Sequence, residues 1–471
     1  MVRQFNDFIR PAKDTYMSNT RRHFLQSAAA TGTALSLPLY WQKACGARQE
    51  ANDRKTVASV GVGGSRGRYS RGGSIAMQAS ELGQTIAVCD VDVKHNQEFN
   101  AKFDNSLYMF TDYRDMLEKT NPDIVTIGTP DHWHAPIAIA ALRAGADVYC
   151  EKPLTLTIEE GQRIAEVVRE TGRVFQVGTQ QRSEYDSKFL QAVAMVREGY
   201  IGDSVTAHVA IGGAPAGGPF EATSAPTELD WNMWLGPAPE AMYMEERRKM
   251  FRWFFEYSGG KMTDWGAHHI DIAQWALGNE NTGPVRIKAT GTFPPTVPES
   301  FDFSRWFAGE LVLPNGFNAP MTFTIGLDFA NVTKMTVNHE YVSDDGKTKF
   351  SNGILFEGSG GRFFVNRGKI TGKPVEELSD ADKQKLNDVI ADLYRGEPTG
   401  HMQNFFNSVD SRQDPVSDVY THHRTMTSCH MCNIALMLGR ELEWDPVREE
   451  FIGDEQANAM KTRPSRPGFS T

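Results

Sequence analysis

The sequence predicts an α/β chain in which a doubly wound parallel sheet is followed by an α+β domain with a largely antiparallel open sheet. Three observations lead to this fold class. The 471 residues are too many for one ordinary core. Short apolar, strand-like runs alternate with helical patterns over residues 55–180, whereas strand-like runs follow one another within residues 181–471. We therefore expect two domains that meet near residue 180.

The composition narrows the class of protein before any motif is considered. Hydrophobic residues make up 40% of the chain and charged residues 23%, which is typical of a globular protein. The formal net charge is -10, with no long basic run, so we expect no nucleic acid partner. No stretch of 18 apolar residues occurs, and we expect no transmembrane segment in the mature chain.

Residues 1–46 differ from the rest of the chain. Arg21 and Arg22 precede a weakly hydrophobic run of small residues at 27–41, which is the form of a twin-arginine (Tat) export signal. We therefore expect a periplasmic or otherwise exported protein, whose start lies at Met1 or Met17. Cys45 offers an alternative as a lipid-anchoring site, and an amphipathic surface helix is the rival interpretation of the segment.

The five cysteines do not indicate a disulfide framework, because an exported protein that depends on disulfides usually carries an even, denser set. Cys429 and Cys432 have CxxC spacing, but they fall in a helical run without a second cysteine pair. We expect packed helical positions there, rather than a zinc or redox site.

The first domain begins after a polar linker at residues 49–55. Five runs read as buried parallel strands, with helical patterns such as 137–144 and 158–171 between them. The predicted strands are residues 57–62, 85–89, 124–127, 148–150 and 174–177.

The first strand ends in a glycine-rich turn, Gly61-Val62-Gly63-Gly64-Ser65-Arg66-Gly67. Glycines there let backbone N–H groups approach a pyrophosphate at a helix N-terminus. The third glycine of a GxGxxG pattern would fall at Arg66, and Gly67 comes one residue late. Asp90, after the second strand, is placed to accept the ribose hydroxyls and favours NAD over NADP. Asp92 competes for that role, and Arg66 or Arg68 leaves NADP open.

Two further motifs stand at the carboxyl ends of strands, where doubly wound sheets bind ligands. Residues 128–134 read GTPDHWH, and Glu151-Lys152-Pro153 follows the next strand. With the glycine turn, these motifs give the chain a resemblance to the Gfo/Idh/MocA family of glucose-fructose oxidoreductase and inositol dehydrogenase relatives. The resemblance covers about residues 55–455 and is strongest among exported members of the family.

The resemblance implies an N-terminal Rossmann domain that binds NAD, with Lys152 beside the nicotinamide and hydrogen-bonded to the reacting substrate oxygen. It gives Glu151 and Pro153 roles on the cofactor side, and the proline is commonly cis in the family. It also implies a homo-oligomer, since family members commonly pair through the open sheet face. The candidate cofactor-binding residues are Gly61, Gly63, Gly64, Arg66, Asp90, Thr129, Pro130, His134, Glu151, Lys152, Pro153 and Gln180.

The second domain is expected to carry strands at residues 204–211, 286–293, 311–313, 321–327, 353–356 and 361–365. A helix at residues 263–271 stands out, because Thr263 can cap its start. On that helix Asp264, His268 and Asp271 fall at i, i+4 and i+7 on one face. A face with two carboxylates and an imidazole is unlike an ordinary apolar stripe.

The spacing of Asp264 and His268 suits the oxidation of a secondary alcohol, in which a base takes the hydroxyl proton. One helical turn would place the carboxylate against the imidazole, and the pair matches the catalytic dyad of the family. We assign His268 as general acid/base, Asp264 as its partner and Lys152 as the group that polarises the oxygen. His269 points about 100° away and serves packing or substrate contact. A metal site made of His268, His269 and an aspartate is the rival interpretation, and we expect no metal.

Aromatic segments with nearby polar side chains indicate a carbohydrate or polyol substrate, since flat rings suit sugar faces. The candidate substrate-binding residues are Lys152, Arg182, Trp253, His268 and His269. We expect an NAD-dependent sugar or polyol oxidoreductase with a tightly bound cofactor. An NAD-dependent glycoside hydrolase or lyase that works through a transient keto-sugar is the alternative, and an idle binding protein is disfavoured because Lys152, Asp264 and His268 are all present.

Overall fold

A computed structural model describes residues 54–64 and 70–469 of the chain. Apart from Arg54, these residues belong to one compact unit, Lys55–Thr471. The predicted export signal, the anchoring site at Cys45 and the predicted cofactor residue Arg66 lie outside the described residues. No helix within those described ranges is long and apolar enough to cross a membrane.

The first sheet has six parallel strands in the order β3-β2-β1-β4-β5-β6. From β1 the chain adds β2 and β3 on one side of the sheet, and it then crosses over to add β4, β5 and β6 on the other side. This is the strand order of a doubly wound Rossmann sheet, so the predicted fold is confirmed. The strands are apolar because helices cover both faces of the sheet. They are β1 (Thr56–Val60), β2 (Gln84–Cys89), β3 (Tyr108–Phe110), β4 (Ile124–Ile127), β5 (Asp147–Glu151) and β6 (Phe175–Gly178).

Four of the six α-helices that the structure describes in this part begin at a side-chain cap that the sequence supplies. Thr157 caps α5 in a capping box with Glu160, and Asp92 caps α2 through the Lys94 N–H. The helices are α1 (Arg71–Leu82), α2 (Val93–Asn100), α3 (Tyr113–Thr120), α4 (His134–Arg143), α5 (Ile158–Thr171) and α6 (Lys188–Arg197).

The second sheet has nine strands in the order β15-β14-β13-β7-β10-β9-β8-β16-β17. Its pairs are antiparallel except β7 with β10, which agrees with the predicted, largely antiparallel open sheet. The strands are β7 (Thr206–Ala210), β8 (Pro284–Thr292), β9 (Thr322–Phe329), β10 (Lys334–Asn338), β13 (Gly353–Gly358), β14 (Gly361–Val365), β15 (Ile370–Thr371), β16 (Leu442–Asp445) and β17 (Glu450–Phe451). A separate hairpin pairs β11 (Tyr341–Val342) with β12 (Lys349–Phe350).

The remaining helices pack around this sheet or connect it to the first. They are α7 (Trp231–Leu235), α8 (Glu245–Lys249), α9 (Gly260–Asp264), α10 (Gly266–Ala276), α11 (Phe303–Phe307), α12 (Lys373–Glu376), α13 (Asp380–Tyr394), α14 (His401–Ser411), α15 (Val419–Leu438) and α16 (Glu455–Ala459). Cys429 and Cys432 lie fully buried in α15.

Two predictions of secondary structure are wrong. Residues 311–313 form no strand: Leu313 is buried, which explains the apolar pattern, but Pro314 follows it and lacks the N–H that a ladder needs. The predicted helix at 263–271 is two short helices, α9 and α10, that meet at Trp265. Thr263 lies in the last turn of α9 and accepts a hydrogen bond from the Gly259 N–H at 3.0 Å, so it does not cap the second helix.

Helix α14 ties the C-terminal part of the chain to the Rossmann sheet. Its apolar residues Phe405 and Phe406 pack in one cluster with Val57 of β1 and Ile124 of β4. At its first residue, His401 Nε2 lies 2.8 Å from the carbonyl oxygen of Val177 in β6. One face of the nucleotide-binding sheet is therefore covered by a helix from the far end of the chain.

Candidate active site

A deep cleft opens at the carboxyl ends of β1, β2, β4 and β5 and is closed by residues of α9, α10 and the loop after β14. Parallel sheets bind ligands at this edge because their loops converge there. Nine predicted cofactor residues of the Rossmann part line the cleft: Gly61, Gly63, Gly64, Asp90, Thr129, Pro130, Glu151, Lys152 and Gln180.

The glycine turn is built for close backbone approach. Gly61 has a φ of +77°, and a Cβ there would lie 2.7 Å from the backbone nitrogen of Thr129. A Cβ on Gly63 would lie 1.8 Å from the Nδ1 atom of His95. No other residue type fits either position without moving its neighbours.

The third glycine of the fingerprint is Gly72, in the first turn of α1. A Cβ on Gly72 would lie 1.7 Å from the carbonyl oxygen of Gly61, and one on Gly128 would lie 2.2 Å from the Cα of Gly72. The standard pattern places this glycine at position 66, but α1 begins only at Arg71, so the turn is longer than that pattern. Gly72 provides the close contact between helix and strand that the pattern requires.

Asp90 lines the cleft directly beside the glycine turn. Its Oδ2 atom accepts a hydrogen bond from the Gly63 N–H at 3.0 Å, and its Oδ1 atom accepts one from the Asp92 N–H at 3.0 Å. The carboxylate of Asp92 caps α2 and forms an ion pair with Arg248. Asp90 Oδ1 also lies 3.4 Å from His95 Nδ1, so the protein itself engages both predicted ribose ligands.

The Glu-Lys-Pro motif follows β5 and faces the cleft. Glu151 accepts hydrogen bonds from Arg71 at 2.7 Å and from Gln180 at 3.0 Å, and all three residues line the cleft. The Lys152–Pro153 peptide bond is cis. Pro153 does not line the cleft, and its carbonyl oxygen lies 2.6 Å from His134 Nδ1.

His134, a predicted cofactor residue, is buried behind the cleft wall. Its Nε2 atom lies 3.0 Å from the carbonyl oxygen of Thr129, so the ring connects the loop after β4 to the loop after β5. His134 therefore does not line the cleft, and its role as a cofactor residue stays a prediction.

The structure places Asp264 against Lys152 rather than against His268. Lys152 Nζ donates to Asp264 Oδ1 at 2.5 Å and to the Asp264 carbonyl oxygen at 3.0 Å, and Arg252 Nε lies 3.2 Å from the same Oδ1. The prediction that this carboxylate orients His268 is wrong, because its Oδ1 atom is taken by Lys152 and Arg252 instead. Burial opposes ionisation, but Lys152 and Arg252 outweigh it and hold the pKa of Asp264 well below its usual value.

His268 lines the same end of the cleft and is almost fully buried. Its Nδ1 atom is buried and has no hydrogen-bond partner among the described residues. Burial, with the nearby charges of Lys152 and Arg367, holds the pKa of His268 well below its usual value. The ring is therefore neutral at pH 7 and able to accept a proton.

The other predicted substrate residues divide between the cleft and the core. Trp253 lines the cleft, and its Nε1 atom is buried without a hydrogen-bond partner. Arg182 lies in the core, where its Nε and Nη2 atoms pair with Asp271 at 2.8 and 2.7 Å. His269 is buried between Gln181 and Asn352, and burial lowers its pKa to about 4. Neither Arg182 nor His269 lines the cleft, and loss of Arg182 would leave the buried charge of Asp271 without its ion-pair partner.

Arg252, Lys261 and Arg367 also line the cleft, and none of them is among the predicted site residues. Arg252 contacts Asp264, Lys261 lies over the Trp253 ring, and Arg367 lies over the Trp265 ring. Lys261 precedes Asp264 by three residues, so helical spacing gave a signal for it. Arg367 follows β14, more than a hundred residues away, and only the fold brings it to the site.

The described residues fit a dinucleotide at this cleft. The glycine turn leaves no room for a Cβ, Asp90 stands where an adenosine ribose is recognised, and Lys152 and His268 line the same cleft. No group of histidine, cysteine and carboxylate side chains able to hold a metal ion occurs within residues 54–64 and 70–469.

The sequence matches two domains of one family. Residues 55–179 match the oxidoreductase family with the NAD-binding Rossmann fold, and residues 218–306 and 356–471 match its C-terminal alpha/beta domain. The chain belongs to the Gfo/Idh/MocA oxidoreductase family. The prediction of NAD as its cofactor is confirmed by the family's NAD-binding domain.

Individual relatives are more distant. The chain is 32% identical to an inositol 2-dehydrogenase of Salmonella typhimurium over 126 residues, which is 26% of this chain and 37% of that protein. It is 24% identical to the D-glucoside 3-dehydrogenase of Escherichia coli over 67% of this chain and 89% of that protein. The match thus spans little more than a third of the inositol dehydrogenase.

A solved structure shows the same fold over most of the chain. The WlbA dehydrogenase of Chromobacterium violaceum, in complex with NADH and UDP-GlcNAcA, superposes with a TM-score of 0.57 at 17% identity. The alignment covers 83% of this chain and 97% of that one. The present protein therefore has the same two-domain architecture as a solved dehydrogenase.

Proposed function

We propose that this protein is an NAD-dependent oxidoreductase that oxidises a secondary hydroxyl of a sugar, glycoside or polyol. The observation that carries the proposal is the convergence of Lys152, Asp264 and His268 at one end of the cofactor cleft. The inositol and D-glucoside dehydrogenases among its relatives support a polyhydroxylated substrate.

Bound NAD supplies the hydride acceptor for this chemistry. Lys152 donates a hydrogen bond to the reacting hydroxyl oxygen and stabilises the negative charge that develops there. The imidazole of His268, neutral because of its lowered pKa, accepts the hydroxyl proton. Asp264 holds the Lys152 ammonium group in place through its 2.5 Å contact.

We further propose that the cofactor is tightly held and is regenerated within the catalytic cycle. The twin-arginine motif at Arg21 and Arg22 supports this, because an exported enzyme has no pool of free nicotinamide cofactor to exchange with. In this proposal the oxidation of the first sugar would be balanced by the reduction of a second, carbonyl-bearing sugar in the same site. In this proposal Asp90 recognises the ribose and favours NAD over NADP.

The test begins with protein purified without added nucleotide. Denaturation and mass analysis of the released small molecules should find NAD or NADH in about equal amount to the protein. Addition of sugars, glycosides and polyols to the native protein should then raise the near-ultraviolet absorbance of NADH. Protein that is empty and binds NAD weakly would contradict the tightly held cofactor.

A control variant separates chemistry from binding. Lys152→Met should retain the bound cofactor while the rate of its reduction falls by roughly 10³-fold, since polarisation of the reacting oxygen is lost. Equal rates in both proteins would contradict the role of Lys152. Cleavage of a glycoside without net formation of NADH would point instead to hydrolysis or elimination through a transient keto-sugar.

A further inference from the structure

We propose that the substrate is an anionic carbohydrate, with a carboxylate or a sulfate ester on the sugar, and that Lys261 and Arg367 bind its charge. This inference rests on the proposed function, because it concerns the substrate of the same cleft. It starts from an imbalance of charge at the end of the cleft that the second domain forms.

Two of the basic residues at that end are matched by carboxylates. Lys152 and Arg252 both contact Asp264. Asp131 lies near the same two cations, accepts a hydrogen bond from Ser258 at 2.5 Å, and is buried. These four charged groups therefore leave little net charge.

Lys261 is a third cation, and it has no ion pair among the described residues. Its Nζ atom lies 5.6 Å from the centre of the Trp253 ring. Lys261 is half-buried, and burial lowers its pKa although the nearby Asp264 opposes that shift. A half-buried ammonium group is stabilised when an anion binds beside it.

Arg367 is the fourth cation, and it reaches the cleft from the loop after β14. Its guanidinium carbon lies 4.6 Å from the Trp265 ring centre and 4.8 Å from that of Tyr185. Its Nε atom is buried without a hydrogen-bond partner in the described part of the chain. Glu184 lies nearby: burial raises the pKa of Glu184, and the charge of Arg367 opposes that rise. No ion pair joins Glu184 and Arg367 among the described residues.

The phosphates of the cofactor do not account for these two cations. The glycine turn is the part of the cleft that suits a pyrophosphate, and it belongs to the Rossmann domain. Lys261 and Arg367 come from the second domain, each over a tryptophan ring. Aromatic faces pack against the C–H faces of sugar rings, and a cation above each face suits an acidic group on that sugar.

The experiment measures binding to protein loaded with NADH, which cannot oxidise its ligand. Matched ligands are compared by calorimetry: glucuronate with glucose and glucuronamide, galacturonate with galactose, and glucose 6-sulfate with glucose. We expect at least one acid to bind about tenfold or more tightly than its neutral counterpart. The preference should shrink as ionic strength rises, because salt screens the attraction. The two uronates test recognition of a carboxylate, and glucose 6-sulfate tests recognition of a sulfate ester.

Two variants locate the effect. Lys261→Met and Arg367→Met should each lose most of the preference for the acid while binding of the neutral sugar is retained. Lys288→Met is the matched control, because it removes the same charge from an exposed position on β8 outside the cleft. Unchanged melting temperatures would show that the variants fold.

The outcomes separate this inference from the proposed function. If no acid binds more tightly than its neutral counterpart, or if both variants keep the preference, the inference is overturned. Neutral sugars that reduce bound NAD in that case would leave the oxidoreductase proposal intact. Acids that bind through Lys261 and Arg367 but never reduce NAD would support the inference and contradict the oxidoreductase proposal.

Discussion

The two ends of the cleft differ in how far the protein satisfies its own polar groups. At the cofactor end, Asp90 accepts two backbone hydrogen bonds, and Glu151 is bound by both Arg71 and Gln180. At the substrate end, three buried nitrogens have no partner among the described residues: His268 Nδ1, Trp253 Nε1 and Arg367 Nε. The hydroxyl of Thr129 is the exception at the cofactor end.

This difference has an energetic meaning. A buried donor or acceptor without a partner costs about 1–3 kcal/mol, whereas a satisfied network rigidifies its surroundings. The cofactor end is thus organised by the protein alone. The substrate end holds groups whose hydrogen bonds are completed by a ligand, and this is where recognition of a substrate gains the most.

The largest effect is expected from disturbing the organised end. Gly72→Ala places a methyl group where the Gly61 carbonyl oxygen lies, at 1.7 Å from the ideal Cβ. The turn must move, and we expect loss of bound NAD together with a destabilisation of about 1–3 kcal/mol. Cofactor content and the melting temperature measure these two effects. Gly326→Ala is the control, since no atom lies within 4 Å of its Cβ, and equal behaviour of the two variants would contradict the role of Gly72.

A change at the substrate end should affect turnover and spare the cofactor. His268→Ala removes the proposed proton acceptor, and we expect turnover to fall by about 10²-fold or more. Cofactor content should stay near normal, because the residues that suit the dinucleotide come from the Rossmann domain. If the variant loses its cofactor as well, His268 helps to form the cofactor end of the cleft. That result would contradict the division of the cleft into a cofactor end and a substrate end.

A smaller effect is expected from the ribose side of the cleft. Asp90→Ala removes the carboxylate that repels a 2′-phosphate, and we expect discrimination against NADP to weaken by about tenfold. The measurement is the ratio of NAD to NADP affinity. An unchanged ratio would transfer the role to Asp92 or to the arginines of the turn.

The smallest effect concerns the charge at the substrate end. Because the pKa of His268 is lowered, its neutral form persists below pH 6.5, and we expect the acidic limb of kcat/KM for oxidation to lie below that value. Arg367 contributes to this lowering, so Arg367→Met should shift the limb upward, toward pH 6.5. The pH profile of the Lys288→Met control should match that of the unchanged protein. A limb at or above pH 6.5 in the unchanged protein would contradict a neutral, buried base.

The sequence predicted which residues line the cleft better than it predicted which of these residues contact one another. Lys152 and His268 were found because each belongs to a local motif, and both line the cleft. Helical spacing pairs Asp264 with His268, but the carboxylate bonds Lys152, which lies 112 positions away in the chain. A helical period predicts which residues share a face, but not which distant partner a side chain binds.

Long-range contacts were beyond the reach of the sequence. Gly72 was missed because the turn before α1 is longer than the pattern used to find it. Arg182 was read as a substrate ligand because it follows a strand, but its partner Asp271 lies 89 positions further along the chain. Arg367 reaches the cleft only through the pairing of β14 with β13. Such positions depend on tertiary packing, which leaves no local periodic signal.

The contact of α14 with the Rossmann sheet bears on the order in which the chain is completed during synthesis. The ribosome releases β1 through β6 first, but Val57 and Ile124 remain without Phe405 and Phe406 until residues 401–411 emerge. A nascent chain that stops short of α14 exposes an apolar sheet face to water and to other chains. The nucleotide-binding part, although it is made first, is finished only when residues 401–411 have been added.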